Sequence, residues 1–526
     1  MQLTRAELFK IGLLGGAGLV VPLTYASTIR GRALDRLPGG QIPDPFQVPL
    51  AIPPIAQPVR KDAGHDYYQM TMKRAFVPIL PGFPRTEIFG YDGITPGPTI
   101  VAAELGRFVV VRHINRLPRT APFGHLNATS VHLHGMASEP PDDGWADDLT
   151  EPGQYKDYTY PNDQGQRLLW YHDHAIHHTA LNTYMGLAGF YSPDLNDQMG
   201  FESELPRGRY FVPLMLQDKI FSKDGQLIFD DRGESSLYGD VILVNGTPWP
   251  VLNVERRKYV LGFLNASNSR GFNLALSSGE PFTFIGQDAG LGPAPVDVDT
   301  FRIGPGERYG LVLDFEKHRI GDRIVLENRD LPNNVDFPST RRVMRFDVVS
   351  DAITTANNEV PDILIPATPD PDHPHDPMPL QEADAVRTRD FRFERSNGEW
   401  TVNSVTWEDG TVRAHPAHDD VEIWRFINNS GGWFHPIHVH LVDFKILDRN
   451  GQPPFAYEVG RKDTVYLGEG ETIRVIAKFG PREGKYMMHC HNTVHEDHDM
   501  MIAWQVGESG ADPMSAPAKN LPAPPL

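Results

Sequence analysis

Short runs of β-branched and aromatic residues recur along this chain, each bounded by Pro, Gly, Asn or Asp. Three of them align. Phe108-Val109-Val110-Val111-Arg112-His113-Ile114-Asn115, Tyr259-Val260-Leu261-Gly262-Phe263-Leu264-Asn265 and Val421-Glu422-Ile423-Trp424-Arg425-Phe426-Ile427-Asn428 all close on asparagine. Each follows a turn-rich segment: Thr95-Pro96-Gly97-Pro98-Thr99-Ile100, Val244-Asn245-Gly246-Thr247-Pro248-Trp249 and Val402-Asn403-Ser404-Val405. Such residues suit strands, and a unit repeated three times predicts three related β-sandwiches in an all-β chain. The expected domains are 61–195, 205–350 and 386–510. Between the second and third, residues 351–385 carry Pro361, Pro366, Pro369, Pro371, Pro374, Pro377 and Pro379 and read as a linker. Residues 27–60, rich in Pro and basic residues and without periodicity, read as a linker or surface strap, and 511–526 as a C-terminal tail.

Composition agrees with this outline. A length of 526 residues is a prior for three or so domains, and 48 glycines with 47 prolines fit many short strands joined by loops. The net charge of −19 disfavours nucleic acid and anionic membranes as partners. A single cysteine rules out an internal disulfide, so stability must come from core burial and bound metal. At the N-terminus, Arg5 and Lys10 bracket an apolar stretch, Ile11 to Leu23, that ends in small residues near Ala26. Residues 1–26 are read as an export signal, so the expected location is the periplasm, the cell envelope or the extracellular space. Thr4-Arg5-Ala6-Glu7-Leu8-Phe9-Lys10 resembles a twin-arginine signal with Ala6 in place of the second arginine. No later stretch is long and apolar enough to span a membrane.

The chemistry lies in the histidines. Ten of the 21 fall in four clusters: His132-Leu133-His134, His172-Asp173-His174, His435-Pro436-Ile437-His438-Val439-His440, and His489-Cys490-His491 with His495. On a strand, side chains at i and i+2 share a face, so each His-x-His pair aims two imidazoles at one point. By the same alternation Cys490 points away from His489 and His491 and serves a different metal centre. Cys490, His435 and His495, with Met500 as a weak axial ligand, suit a blue-copper site. Eight histidines remain: His132, His134, His172, His174, His438, His440, His489 and His491. They are too many for one ion and fit a cluster of three coppers between two distant parts of the chain. Zinc is the rival metal, but ten histidines to one thiolate suit copper better than structural zinc.

These four motifs resemble those of the multicopper oxidases, the group containing laccases, bilirubin oxidases and phenoxazinone synthases. The likeness runs over about residues 60–505. It is nearest to the spore-coat laccase, bilirubin oxidase and phenoxazinone synthase branch around Trp170-Tyr171-His172-Asp173-His174, Gly431-Gly432-Trp433-Phe434-His435-Pro436 and His495-Glu496-Asp497. The resemblance implies three cupredoxin-like Greek-key domains, the middle one serving as scaffold and as a wall of the substrate site. It implies four copper ions. His435, Cys490, His495 and Met500 would hold type 1 copper, and His132 and His438 type 2 copper. His134, His172 and His491 would hold one type 3 ion, and His174, His440 and His489 the other. It also implies proton-supplying carboxylates at Asp143 and Glu496, with Asp142 and Asp497 expected as surface carboxylates. Trp433 would border the donor site. His373 and His375, in Asp372-His373-Pro374-His375-Asp376, would bind an extra copper of the kind found in phenoxazinone synthases; a solvated acidic loop is the plainer reading. His177 and His178 are expected at the surface or behind the ligands.

The activity these residues imply is one-electron oxidation of phenolic, aminophenolic or bilirubin-like donors coupled to reduction of dioxygen to water. Electrons would enter at an exposed ring edge of His435 or His495 and pass through Cys490 to His489 and His491. The alternatives are oxidation of Cu(I), Mn(II) or Fe(II), against whose copper version the lack of a Met-rich insertion counts, and an envelope copper-binding or scaffolding protein.

Overall fold

The structure is a computed structural model that describes residues 35–102, 105–120, 126–165, 167–193, 204–230, 235–365, 376, 378–407 and 411–526. Six β-sheets carry these residues. One pair of sheets is built mainly from residues 60–193, a second from 211–351 and a third from 387–506. This is the cupredoxin-like sandwich arrangement, two sheets face to face over a shared core. Among the described residues there are two α-helices, Thr179–Met185 and Thr493–Asp497, both short.

The asparagine repeat has a structural reason. Each of the three runs is a strand paired in parallel with an earlier one: Phe108–Arg116 with His65–Val77, Lys258–Asn265 with Phe211–Lys219, and Val421–Asn428 with Arg387–Ser396. At its end the asparagine turns inward. Asn115 donates to the carbonyls of Asn127 and Thr150 and accepts from the Leu117 N–H. Asn265 donates to Arg270 and Ile303 and accepts from Ser267; Asn428 donates to Trp433 and Gly468 and accepts from Ser430. One buried amide thus ties three loop segments together in each unit, a task for which the short Asn side chain is suited.

The chain ends bind the units to one another. Backbone bonds run from Leu37 to Phe221, from Leu50 to Val251 and from Ala56 to Thr99, so residues 37–56 touch both the middle and the first sheets. The last residues add a strand, Lys519–Asn520, beside Gln154–Tyr160. A large apolar core joins the first and middle units, while a separate core containing Cys490 and Met500 fills the third. No helix of the described residues is long and apolar enough to cross a membrane.

Candidate metal centre

The histidines sit where the sheets face one another. The strand Val131–His134 runs antiparallel to Leu169–Asp173 with His132 opposite His172. In the third unit His435–Val439 pairs with Gly484–Cys490, setting His438 beside His489 and Ile437 beside Cys490. Alternation then sends His489 and Cys490 to opposite faces. The helix Thr493–Asp497, capped by Asn492 Oδ1 accepting the Val494 N–H at 3.2 Å, divides its residues the same way. His495 turns to Cys490, and Glu496 to His174 and His489.

Cys490 forms the smaller cage. Its Sγ lies 3.3 Å from His435 Nδ1 and 3.7 Å from His495 Nδ1, and the two nitrogens are 3.2 Å apart. A point about 2 Å from all three atoms lies between them, the length of a metal–nitrogen bond. The far ring nitrogens are held by neutral groups: His435 Nε2 by Ser430 Oγ at 2.9 Å, His495 Nε2 by Ser236 Oγ at 3.3 Å and by the Asn492 amide at 3.2 Å. Burial lowers His435 to about 3 and His495 well below its ordinary value, so both rings are neutral. Burial pushes the Cys490 thiol well up, so a thiolate here requires a cation beside it. Met500 is buried, and its backbone bonds to both Cys490 and His495.

The expected exposed ring edge is absent: His435 and His495 are each 0% exposed. Trp400 lies over His495 with centroids 3.9 Å apart, Ser236 reaches His495 from the middle unit, and Ser430 covers His435. Trp433 is half-buried and meets Trp400 edge-on at 5.1 Å.

The other eight histidines enclose a chamber between the first and third units. Inward ring nitrogens of His134, His172 and His491 come together, as do those of His174, His440 and His489; His132 and His438 converge with His134. Hydrogen bonds fix which nitrogen faces in. Nδ1 of His132, His172 and His438 lies 2.6, 2.8 and 2.9 Å from the carbonyls of Asp143, Asp173 and Asp463, and His440 Nδ1 lies 2.8 Å from Asp143 Oδ2. A carbonyl only accepts, so the Nδ1 atoms of His132, His172 and His438 carry the proton and their Nε2 atoms present lone pairs. His134 is reversed. Its Nε2 lies 3.0 Å from Asp463 Oδ1 and from Thr464 Oγ1, leaving Nδ1 inward without a hydrogen-bond partner. His172 Nε2 and both nitrogens of His491 are likewise buried without partners. His489 Nε2 stands 3.1 Å from His174 Nε2 and 3.2 Å from His440 Nε2. Burial lowers His172 to about 3, His174 to about 4, and His132, His134, His438, His440 and His491 well below the ordinary range. Neutral imidazoles with converging lone pairs repel one another unless cations lie between them, so the donor set fits bound metal.

Carboxyl groups surround the chamber. Asp143 is pushed well above the usual range, first by burial and then by the charge of Asp142. Glu496 lies 3.1 Å from His489 Nδ1 and 3.7 Å from His174 Nδ1. Burial opposes its ionisation, but His489 and His174 outweigh it and hold the carboxyl at about 2. Burial thus favours the protonated form of Asp143, whereas the neighbouring histidines favour the ionised form of Glu496. Asp463 makes a two-point pair with Arg308, at 2.5 and 2.6 Å, all of it buried. Burial opposes charge there too, and the guanidinium prevails, holding Asp463 below the ordinary carboxylate value. Arg308 also bonds to the carbonyls of Leu168 and Asp288, which links all three units. Gly306, at φ +85°, lets the middle unit approach His491, since a Cβ there would lie 2.8 Å from that ring.

Two carboxylates expected at the surface are not there. Asp497 is buried and accepts the N–H groups of Thr179 (3.0 Å) and Ala180 (2.8 Å), neutralising the start of the helix Thr179–Met185. Asp142 is half-buried, bonded to the Thr159 N–H, and raised by burial to about 6. His177 is exposed and His178 half-buried, with their Nδ1 atoms against the carbonyls of Asp497 and Ile176. His373, His375 and the N-terminal leader lie outside the described residues. Sequence reasoning missed Asp463, Arg308, Trp400 and Ser236. The charged run Arg461-Lys462-Asp463 directly before the apolar strand Thr464–Leu467 was a usable sign for the first of these.

Comparison with known proteins points the same way. Residues 78–194 and 372–510 match the multicopper oxidase family. A bilirubin oxidase from Albifimbria verrucaria is 41% identical over 484 residues, covering 87% of this chain and 81% of the relative. A laccase from Bacillus subtilis is 34% identical over 505 residues, covering 86% and 96%. Among solved structures, a laccase from Pediococcus acidilactici superposes with a TM-score of 0.76 at 27% identity, covering 89% of this chain and 95% of that one.

Proposed function

The chain belongs to the multicopper oxidase family, and from that premise we propose how its residues divide the work. Members of the family use copper to oxidise a reducing substrate and pass the electrons to dioxygen, and this chain is such an oxidoreductase. Four ions are proposed. His435, Cys490 and His495 would hold type 1 copper with Met500 axial, and His132 and His438 type 2 copper. His134, His172 and His491 would hold one type 3 ion, and His174, His440 and His489 the other. The domains are taken as 61–195, 205–350 and 386–510, and residues 1–26 as a leader for export.

The observation that carries this reading is the run His489-Cys490-His491. It places a sulfur in one cage and an imidazole in the other with only backbone between them. Copper supplies one-electron exchange at the first cage and oxygen binding and reduction at the second. The protein holds and moves the protons. Asp143 stands against His440, and Glu496 stands between His174 and His489, each at the wall of the chamber where protons are consumed. The buried cage, closed by Trp400, Ser236 and Ser430, excludes water from the sulfur. Phenols, aminophenols and bilirubin-like tetrapyrroles are the proposed donors, since Trp400 lies over His495 and Trp433 meets Trp400 edge-on.

Copper content, the visible spectrum and oxygen uptake test this directly, with a phenol, an aminophenol, bilirubin and a metal ion offered in turn. Uptake with organic donors supports the reading. Uptake with the metal ion alone would replace it by a metal oxidase, and none at all by a binding protein.

A further inference from the structure

The chamber's rings all come from the first and third units, yet a hairpin of the middle unit reaches behind them. Strands Phe282–Gln287 and Gly290–Val298 are joined by the turn Asp288-Ala289, and this turn meets residues 461–464 of the third unit. Ala289 donates its N–H to the Arg461 carbonyl at 3.2 Å. Asp288, fully buried, takes more. Its Oδ2 accepts the N–H groups of Asp463 at 3.2 Å and Thr464 at 3.1 Å, and the Lys462 ammonium at 3.0 Å. Its Oδ1 accepts the Arg308 N–H at 2.6 Å. The Asp463 and Thr464 amides belong to a dipeptide that orients two rings of the chamber. Asp463 Oδ1 and Thr464 Oγ1 hold His134 Nε2, each at 3.0 Å. The Asp463 carbonyl and Thr464 Oγ1 hold His438 Nδ1 at 2.9 and 3.3 Å. The two rings stack 3.7 Å apart, so a shift of the dipeptide moves both.

We propose that Asp288 is a positioning residue for His134 and His438, through which the middle unit sets two of the copper-holding rings. The inference rests on the copper reading of the chamber for what the rings hold, though not for its geometry. Outer partners of this kind fix the orientation of a metal-binding imidazole. A carboxylate suits the place because it only accepts, and both of its oxygens face N–H donors. An amide of the same shape must turn its NH2 either to the Asp463 and Thr464 N–H groups or to that of Arg308. It loses bonds in either orientation. Glu307 supplies the contrast. It is as buried as Asp288 and lies 3.3 Å from the same Lys462 ammonium. Its other bonds, from the Gly304 N–H and the Tyr309 hydroxyl, stay within the middle unit.

Asp288→Asn and Glu307→Gln, each compared with wild type in the full-length protein, separate positioning from buried charge. In the proteins as purified, amide exchange across residues 461–467, read by mass spectrometry, should quicken about tenfold or more in Asp288→Asn alone. After copper loading, Asp288→Asn should keep the blue band and change the hyperfine splitting of the ordinary copper signal in electron paramagnetic resonance. EDTA should strip that copper at about 10- to 100-fold lower concentration than in wild type. Glu307→Gln should match wild type in all three readouts. Where Asp288→Asn fails to fold, Asp288→Asn/Lys462→Met removes the ammonium along with its partner, and the same shifts are expected. Unchanged exchange with an unchanged ordinary signal, or equal changes in Glu307→Gln, overturns the positioning role even if wild type takes up four coppers and oxygen. Faster exchange in Asp288→Asn, with a wild-type chamber that takes up no copper, overturns the copper reading and leaves the hold on residues 463–464 standing.

Discussion

The Cys490 cage takes its residues from one stretch of chain, 435–500, whereas the histidine chamber takes four rings from 132–174 and four from 438–491. Their surroundings differ as well. The far nitrogens of the cage meet the hydroxyls of Ser430 and Ser236 and the amide of Asn492, all uncharged. Those of the chamber, His491 apart, meet backbone carbonyls and the carboxyls of Asp143, Asp463 and Glu496, with Arg308 buried behind them. The contrast follows the chemistry proposed for each place. Exchanging one electron needs a rigid, dry ligand set and no proton. Reducing dioxygen to water consumes a proton with every electron, and groups that hold protons must stand at the wall. Two sites joined by a single backbone step can therefore differ in charge because their neighbours come from opposite faces of one strand.

Replacing the sulfur breaks the comparison most completely. Cys490→Ser should abolish the blue absorption and all donor oxidation while the circular dichroism of the fold stays unchanged, because the side chain belongs to the cage alone. Retained turnover would show that electrons reach the chamber by another route. Stability separates the two next. Asp463→Leu leaves Arg308 buried without its two-point partner, with only Asp288 at 3.8 Å, and should cost about 3–5 kcal/mol in denaturant unfolding of the copper-free protein. Ser430→Ala, the matching loss at the cage, should cost about 1 kcal/mol. Equal costs would mean that the charged scaffold of the chamber is not what distinguishes it.

Kinetics sharpen the contrast further. Asp143→Asn should slow oxygen reduction about 10- to 100-fold and leave anaerobic bleaching of the blue band by donor unchanged, as stopped-flow spectra would show. The smallest effect concerns pH. Asp142 titrates near 6 in the folded chain against 3.8 in the unfolded one. The folded state thus keeps a proton that the unfolded state has lost, so stability falls as pH rises through 3.8 to 6 and is level above. Asp142→Asn should remove that slope, a change of about 1–2 kcal/mol allowing for partial solvent screening. A slope that survives the substitution would place its source elsewhere.

Much of this was legible in the sequence, because period-two alternation both defines strands and sorts their side chains. The residues Phe108–Asn115, Tyr259–Asn265 and Val421–Asn428 reported the three units, and His489-Cys490-His491 reported two cages back to back. What the sequence hid was contact between distant segments. Nothing near Trp400 or Ser236 shows that they close over His495, so its ring was expected at the surface. Asp497 looked like an exposed neighbour of Glu496 until the helix Thr179–Met185 brought its N-terminus to it. The reversed ring of His134 depends on Asp463, 329 residues away, and no local pattern encodes which nitrogen it presents.

The central claim is that one strand serves two different copper sites. Copper analysis of the purified protein, with its visible and electron paramagnetic resonance spectra, tests that most directly when wild type and Cys490→Ser are measured side by side. The account predicts about four coppers in the wild type, with one blue signal and one ordinary signal. In the variant it predicts loss of the blue signal alone, with the chamber's copper retained. Loss of all copper together, or a blue signal that persists without the sulfur, would contradict it.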